Sequence, residues 1–293
     1  MEVETKNLLS EFMQKTHSTR RRKSFAMSIA LTLLAISAVV PLVSILAFLI
    51  SKGFSSLSWG FVTSLPLAYG ETGGGMGNAI VGSFILVGLA SVVGIPLGLG
   101  TGIFLSESRA GSRFGAIVRL CTELMAGVPS IVVGLFAYFI AVLPFGGFSA
   151  FAGGLALSVI MIPVIARTSE EVLRLVPIHV REAGLALGLP AWKVLLRIVL
   201  RGSRKGLFTA VLLAVARASG ETAPLLFTAL NNRLWSVNPS QPISSLPVQI
   251  YTYATSPSED WHQQAWAGAL LLVLLVLGLS LSARLLLSGK KYG

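Results

Sequence analysis

Long apolar runs alternate along the chain with short polar segments, most of them basic. Residues 24–51, 72–106, 124–166 and 261–283 contain no Asp, Glu, Lys or Arg. A helix of about 20 apolar residues crosses roughly 30 Å of hydrocarbon, so three of these runs each predict one crossing. The run 124–166 is too long for one crossing and must fold back, with Pro144-Phe145-Gly146-Gly147 as its natural turn. A further stretch, about 205–230, is interrupted by Arg217 and Glu221. The pattern predicts an all-α membrane protein with six transmembrane helices, at about 25–51, 77–105, 113–144, 150–174, 202–230 and 262–287.

Composition agrees with this class. Of the 293 residues 54% are hydrophobic and 12% charged, too few charges to cover a soluble globule of this size. Positive loops stay on the cytoplasmic side. With the amino terminus inside, all but four of the 23 lysines and arginines fall in cytoplasmic segments; Lys52 and Arg233 lie outside, Arg167 and Arg217 within spans. The net charge of +11 thus reports topology and contact with lipid headgroups, and no aromatic-basic platform suggests a nucleic-acid partner. The first 23 residues are polar and the run after them is too long for a cleaved signal peptide, so residues 1–23 read as a cytoplasmic tail before a retained anchor. Residues 24–287 then form the membrane domain and 288–293 a cytoplasmic end.

Few residues suit chemistry. Cys121 is alone, Asp260 is the one aspartate, and His17, His179 and His262 are scattered, so neither a metal cluster nor a catalytic triad can be assembled and no cofactor is expected. A membrane hydrolase using Ser219 or Ser130 with Glu221 would lack a histidine base; a self-sufficient anion channel is another alternative.

Residues 175–206, LVPIHVREAGLALGLPAWKVLLRIVLRGSRKG, form the richest polar segment. Pro177 suits a first helical turn, Glu182 lies near its positive end, Gly188 can take the left-handed conformation that stops it, and Pro190 can start a second helix. Lys193, Arg197, Arg201 and Lys205 recur every fourth residue, giving a basic face toward the headgroups. The small residues of Glu182-Ala183-Gly184-Leu185-Ala186-Leu187-Gly188 would let another surface come close.

This loop resembles the EAA loop of type I ABC importer permeases, an acidic-Ala segment ending in Gly, with Ile198 and Leu200 about ten residues on. The family pattern continues with proline where this chain has Arg201. GGGMGNAIVGS (73–83), AGVPSIVVGLF (126–136), IPVIARTSEEVLRLVP (162–177), ARASGETAPLLFTAL (216–230) and LPVQIYTYATSP (246–257) are similar to the permeases of phosphate-specific importers. The resemblance implies a coupling helix, Glu182, Ala183, Gly184, Leu187 and Gly188 among its residues, that docks on a cytoplasmic ATPase. It also implies a homologous second permease, two ATPase copies and a periplasmic phosphate-binding protein, in a bacterial inner membrane. A permease for another oxyanion or polar solute is the alternative. No Gly-rich loop ending in Gly-Lys-Ser/Thr is present, so ATP would be hydrolysed by a partner and not by this chain.

Trp59, Trp235 and Trp261 are expected as anchors at the outer interface. Gly94, Gly98 and Gly102 permit close approach of a helix, either in this chain or in the partner, and Gly73-Gly74-Gly75 is expected to be a flexible lead rather than an anion nest. An arginine at the bilayer centre costs about 2.5–3.5 kcal/mol on insertion scales, so Arg217 must face protein or water. Glu221 stands four residues on, able to pair; Arg167 with Glu170 and Glu171 repeats the arrangement. Two arginines with carboxylates one turn away suit an anion pathway, the carboxylate competing for the guanidinium fork so that the anion is released.

Overall fold

The computed structural model describes residues 2–108 and 112–288, all in helices, turns and loops; the predicted C-terminal tail 288–293 lies outside the described residues except for Ser288. Contacts divide the chain at Ser51 into two units. The first is a single helix, the body of α1 (Glu2–Gly53), in which the polar residues 2–23 simply continue the apolar run. Phe25, Leu31, Leu34, Leu42 and Ile45 are all exposed, as a helix solvated by lipid requires.

The second unit opens with a short turn, then α2 (Trp59–Thr63), whose N-cap Ser58 accepts from the Phe61 amide at 3.1 Å. A glycine strap follows. Gly73 and Gly74 have φ of +96° and +82°, and the Gly75 amide donates to Leu65 O at 3.1 Å, so the strap turns back on the segment before it. α3 (Gly77–Glu107) comes next, followed by α4 (Arg113–Gly127), α5 (Ser130–Ala137) and, after one π-type turn, α6 (Leu143–Phe145). The chain reverses at Gly146, φ +78°, inside the predicted turn. It enters α7 (Ala150–Arg174), then α8 (Ile178–Ala186) and α9 (Ala191–Val194), which runs through another π-type turn into α10 (Leu200–Ser219). α11 (Ala223–Leu226), α12 (Leu246–Ala254) and α13 (Glu259–Ser288) complete the unit.

Packing gives the helices their directions. Along α3, Leu86 meets Gly153, Gly94 meets Ser158 and Met161, Gly98 meets Ile165, and Gly102 meets Ala166 and Ser169 of α7. Contact positions rise together, so α3 and α7 are parallel, and the glycine stripe is explained by a neighbour in the same chain. Two parallel helices need a full return between them, which α4–α6 supply. Gly206 lies on Val172, and Ala229 on Gly153, so α10 and α11 carry the chain back along α7. Met76 touches Gly268, placing the start of α13 beside the start of α3.

Two predicted spans differ from expectation. The helix predicted over 113–144 breaks at Val128-Pro129, where its halves meet at 104°; the residue before proline is pushed out of the helical region. The helix predicted over 202–230 stops at Gly220, because the ring of Pro224 blocks the carbonyl four residues back and offers no N–H to it. Four helices, α1, α3, α7 and α13, are long and apolar enough to cross a membrane, and the bent pair makes a fifth. α10 returns in the right direction but carries Arg201, Arg204, Lys205 and Arg217.

The segment 231–261 is tied into the rest of the unit by hydrogen bonds. Carbonyls of Thr228, Pro239 and Gln241 accept from the first amides of α7, and Ser83 Oγ accepts from the Leu246 amide at the start of α12. Trp261 is 6% exposed, stacked on Tyr253 at 4.5 Å with Arg233 over its ring, and so is a core residue rather than the expected interface anchor. Burial pushes the Tyr253 phenol above its ordinary pKa. Trp59 and Trp235 are exposed.

Candidate functional site

Charged side chains gather where α4 lies against the second half of α7. Glu170 is 3% exposed; its Oε1 accepts from Arg119 Nε at 3.1 Å and Arg119 Nη2 at 2.7 Å, and it is ion-paired with Arg174 Nη2 at 2.9 Å. Arg167 donates to Glu171 on its own helix at 3.2 Å and to Glu123 of α4 at 2.8 Å. The expected Arg167–Glu170 pair does not form. Glu170 points into the α4–α7 contact, where Arg119 meets it, while Arg167 stays on the exposed edge with Glu123 and Glu171. Arg119, Glu123, Arg167, Glu170, Glu171 and Arg174 make a balanced set of three positive and three negative groups. Arg119 and Glu123 share the i, i+4 spacing of Arg167 with Glu171 and of Arg217 with Glu221.

Arg217 sits in the last turn of α10, where the negative end of the helix dipole favours a cation by about 0.3–1 kcal/mol. Its partner is loosely held. Glu221 lies past the helix end, and its Oε1 is 3.8 Å from Arg217 Nε, beyond hydrogen-bond reach. The Arg217 side chain is 53% exposed, and that of Glu221 15%. With Gly206 opposite Val172, an antiparallel α10 brings Arg217 level with about Met161, so Arg167 and Arg217 stand roughly 9 Å apart along the axis at 1.5 Å per residue. No hydrogen bond or ion pair joins the two groups among the described residues.

At the end of α7 the chain makes the expected helix, turn and helix. α8 ends in a Schellman motif: the Leu189 amide donates to Gly184 O at 3.2 Å and the Gly188 amide to Leu185 O at 2.9 Å, with Gly188 at φ +78°. Gly184 is buried against Val194 and Ile198, so its smallness serves internal packing and not an approaching partner. Glu182, Ala183, Leu187 and Gly188 are on the open side, with Leu187 82% exposed. Arg181 ties α8 down, donating to Glu107 at the end of α3 and to Leu173 O at the end of α7. Beside it opens a cleft of about 730 Å³, lined by Glu107, Arg174, Arg181, Glu182, Leu185 and Val194.

Residues 94–291 match the family described as binding-protein-dependent transport system inner membrane component. The chain belongs to that family. The matched segment of this family holds every ion pair above and all of α8. Among relatives, the phosphate transport system permease protein PstA of Yersinia pestis is 40% identical over 284 residues, covering 97% of this chain and 96% of its own. PstA of Haemophilus influenzae is 46% identical over 247 residues, 84% of this chain and 87% of its own. The structure is similar to inward-facing conformations of the MetNI methionine ABC transporter, with TM-scores of 0.57 and 0.59 at 18% identity, over 74% of this chain and 94% of that one. The protein is therefore a multi-pass membrane permease with the type I importer fold, a member of a family that operates with partner subunits.

Proposed function

We propose that this chain is the transmembrane permease subunit of an ATP-driven phosphate importer in the bacterial inner membrane. It forms half of the translocation pathway beside a homologous, PstC-like permease. Two PstB-like ATPases drive it and a periplasmic PstS-like protein delivers phosphate. Residues 24–287 are the permease domain, and the ends 1–23 and 288–293 are cytoplasmic. The observation that carries this reading is Arg217: a half-exposed guanidinium at the end of the uncharged stretch Gly206–Ala216 of α10, with no ion-pair partner closer than 3.8 Å among the described residues, in a chain similar over 97% of its length to a phosphate permease. Such a group cannot face lipid, and its fork of donors fits phosphate oxygens.

Phosphate entering between the permeases meets Arg217 and then Arg167, roughly 9 Å further along. Neither holds it fast, because Glu221 competes at the first and Glu123 and Glu171 at the second. The ATPase acts through Glu182, Ala183, Leu187 and Gly188 of the α8 turn, with Gly184 giving that turn its internal seat. No covalent step falls to this chain.

The test is ATP-driven uptake of labelled phosphate by the reconstituted complex. Arg217→Gln abolishes uptake while the complex still assembles, since glutamine keeps polarity but not charge. Glu221→Gln is milder or slows release. If the two charges exist only for each other, both variants impair assembly alike and the double variant recovers; recovered uptake in the double variant refutes the reading.

A further inference from the structure

We infer that Glu123 is an internal stand-in for the transported anion: it occupies the seat on Arg167 that phosphate takes during transport, so that anion arrival releases one of the two ties between α4 and α7. This rests on Arg167 lining the proposed pathway. The two ties differ in kind. Arg119–Glu170 is buried on the carboxylate side, with two donors from one guanidinium on a single oxygen. Glu123–Arg167 is a single 2.8 Å bond between side chains each about half exposed. The first behaves as a pivot and the second is the one that can yield.

The Arg167 guanidinium shows why a carboxylate must give way. Its Nη1 is spent on Glu123 and its Nε on Glu171, so the two edges of the fork that would grip an oxyanion in two places are both taken. Glu171 is four residues away on the same helix and travels with Arg167 in any helix movement. Glu123 comes from the last turns of α4, just before the 104° break at Val128-Pro129. Displacement of Glu123 by an anion therefore changes the contact between two helices, whereas displacement of Glu171 changes none. Glu123 is thus a positioning residue, holding Arg167 extended toward α4 while the seat is empty and competing with the anion that fills it.

The experiment uses the purified complex of this chain with its partner permease and ATPases, without binding protein or ATP. Inorganic phosphate is the probe, its weak binding followed by ³¹P line broadening. Exposed ion pairs are weak, so removing the competitor in Glu123→Gln tightens phosphate binding about two- to five-fold. Glu123→Asp, which draws the carboxylate back by one methylene, gives a smaller gain, and it is the deciding variant if Glu123→Gln does not assemble. The gain vanishes when Arg167→Gln is added. Unchanged or weaker phosphate binding in the assembled variants overturns the inference, as does a gain that persists without Arg167. A purely bracing role for Glu123 lowers thermal stability and leaves phosphate binding where it was. Failure of the importer reading shows separately, as absence of ATP-driven uptake by the unsubstituted complex.

Discussion

Replacing Gly102 by alanine inserts one methyl group between α3 and α7 at the level of the charge cluster. An ideal Cβ there lies 2.7 Å from Ala166 O and 2.7 Å from Ser169 Cβ, both on α7, with Glu170 N at 3.3 Å. Favourable contact between carbon atoms begins near 3.5 Å, so the helices must part by about 0.8 Å or bend. Overpacking of this size costs about 1–3 kcal/mol. Alanine also stabilises a helix relative to glycine by roughly 0.5–1 kcal/mol, which must be removed from the comparison. Gly100 supplies the control, being on the same helix with nothing within 4 Å of an added Cβ. Gly100→Ala keeps the propensity gain without the clash, so the difference between the variants is the packing cost alone. The assay is the apparent melting temperature of the purified complex. Gly100→Ala melts at or above the unsubstituted protein, and Gly102→Ala melts roughly 2–10 °C below Gly100→Ala. Uptake falls in Gly102→Ala as well, since the push reaches Glu170. Coincident melting of the two variants would refute the close seating of α3 on α7.

Glu170→Ala leaves Arg119 and Arg174 without their shared carboxylate and destabilises the complex by about 1–3 kcal/mol, read as a lower melting temperature; an unchanged value would deny the clasp. Gly188→Val forces a β-branched residue to φ +78°, at about 1–2 kcal/mol, and reduces co-purification of the ATPase; full recovery of ATPase counts against docking at this turn. Leu230, at φ +59°, is the one non-glycine residue with positive φ among those described, so Leu230→Gly raises the melting temperature if relief of strain exceeds the entropy cost, by about 0.5–1 kcal/mol. In a Cys121→Ser background, cysteines at 55 and 240 react with an impermeant thiol reagent added outside and one at 187 does not; labelling at 187 alone reverses the orientation.

What the sequence reveals here is what depends on neighbours a few residues away. Gly146 in the turn after α6 and Gly188 with Pro190 around the α8 turn were readable because positive φ and the first helical turn select those residues locally. The glycine stripe of α3 was readable as a contact, but not whose, since the partner helix lies some sixty residues on. Proline was ambiguous. Pro96 and Pro163 sit inside α3 and α7 without ending them, whereas Pro129 and Pro224 mark breaks. Pro96 is exposed and Pro163 buried, so neither burial nor a local pattern separates the tolerated prolines from the breaking ones. Glu170 shows the same limit among charges: spacing offers it Arg167, but the fold brings Arg119 from 51 residues away. Trp261 reads as an amphipathic anchor until α12 supplies Tyr253 to stack on it.

The seating of α3 on α7 decides how force travels through the molecule. Where glycine replaces side chains, the α3 backbone lies directly on α7, against Met161 and Ile165 Cβ and against Ala166 O, so only one helix contributes rotamers to the contact. Arg181 grips the ends of both helices together, through Glu107 and Leu173 O. At the far end an added Cβ at Gly82 would collide with Ser244 O, so the same helix abuts the loop ahead of α12 with equal closeness. Close contacts thus run without interruption from α8, through the paired ends of α3 and α7, to the loop ahead of α12, like the links of a push-rod. Stiffness, here, is bought with absent side chains.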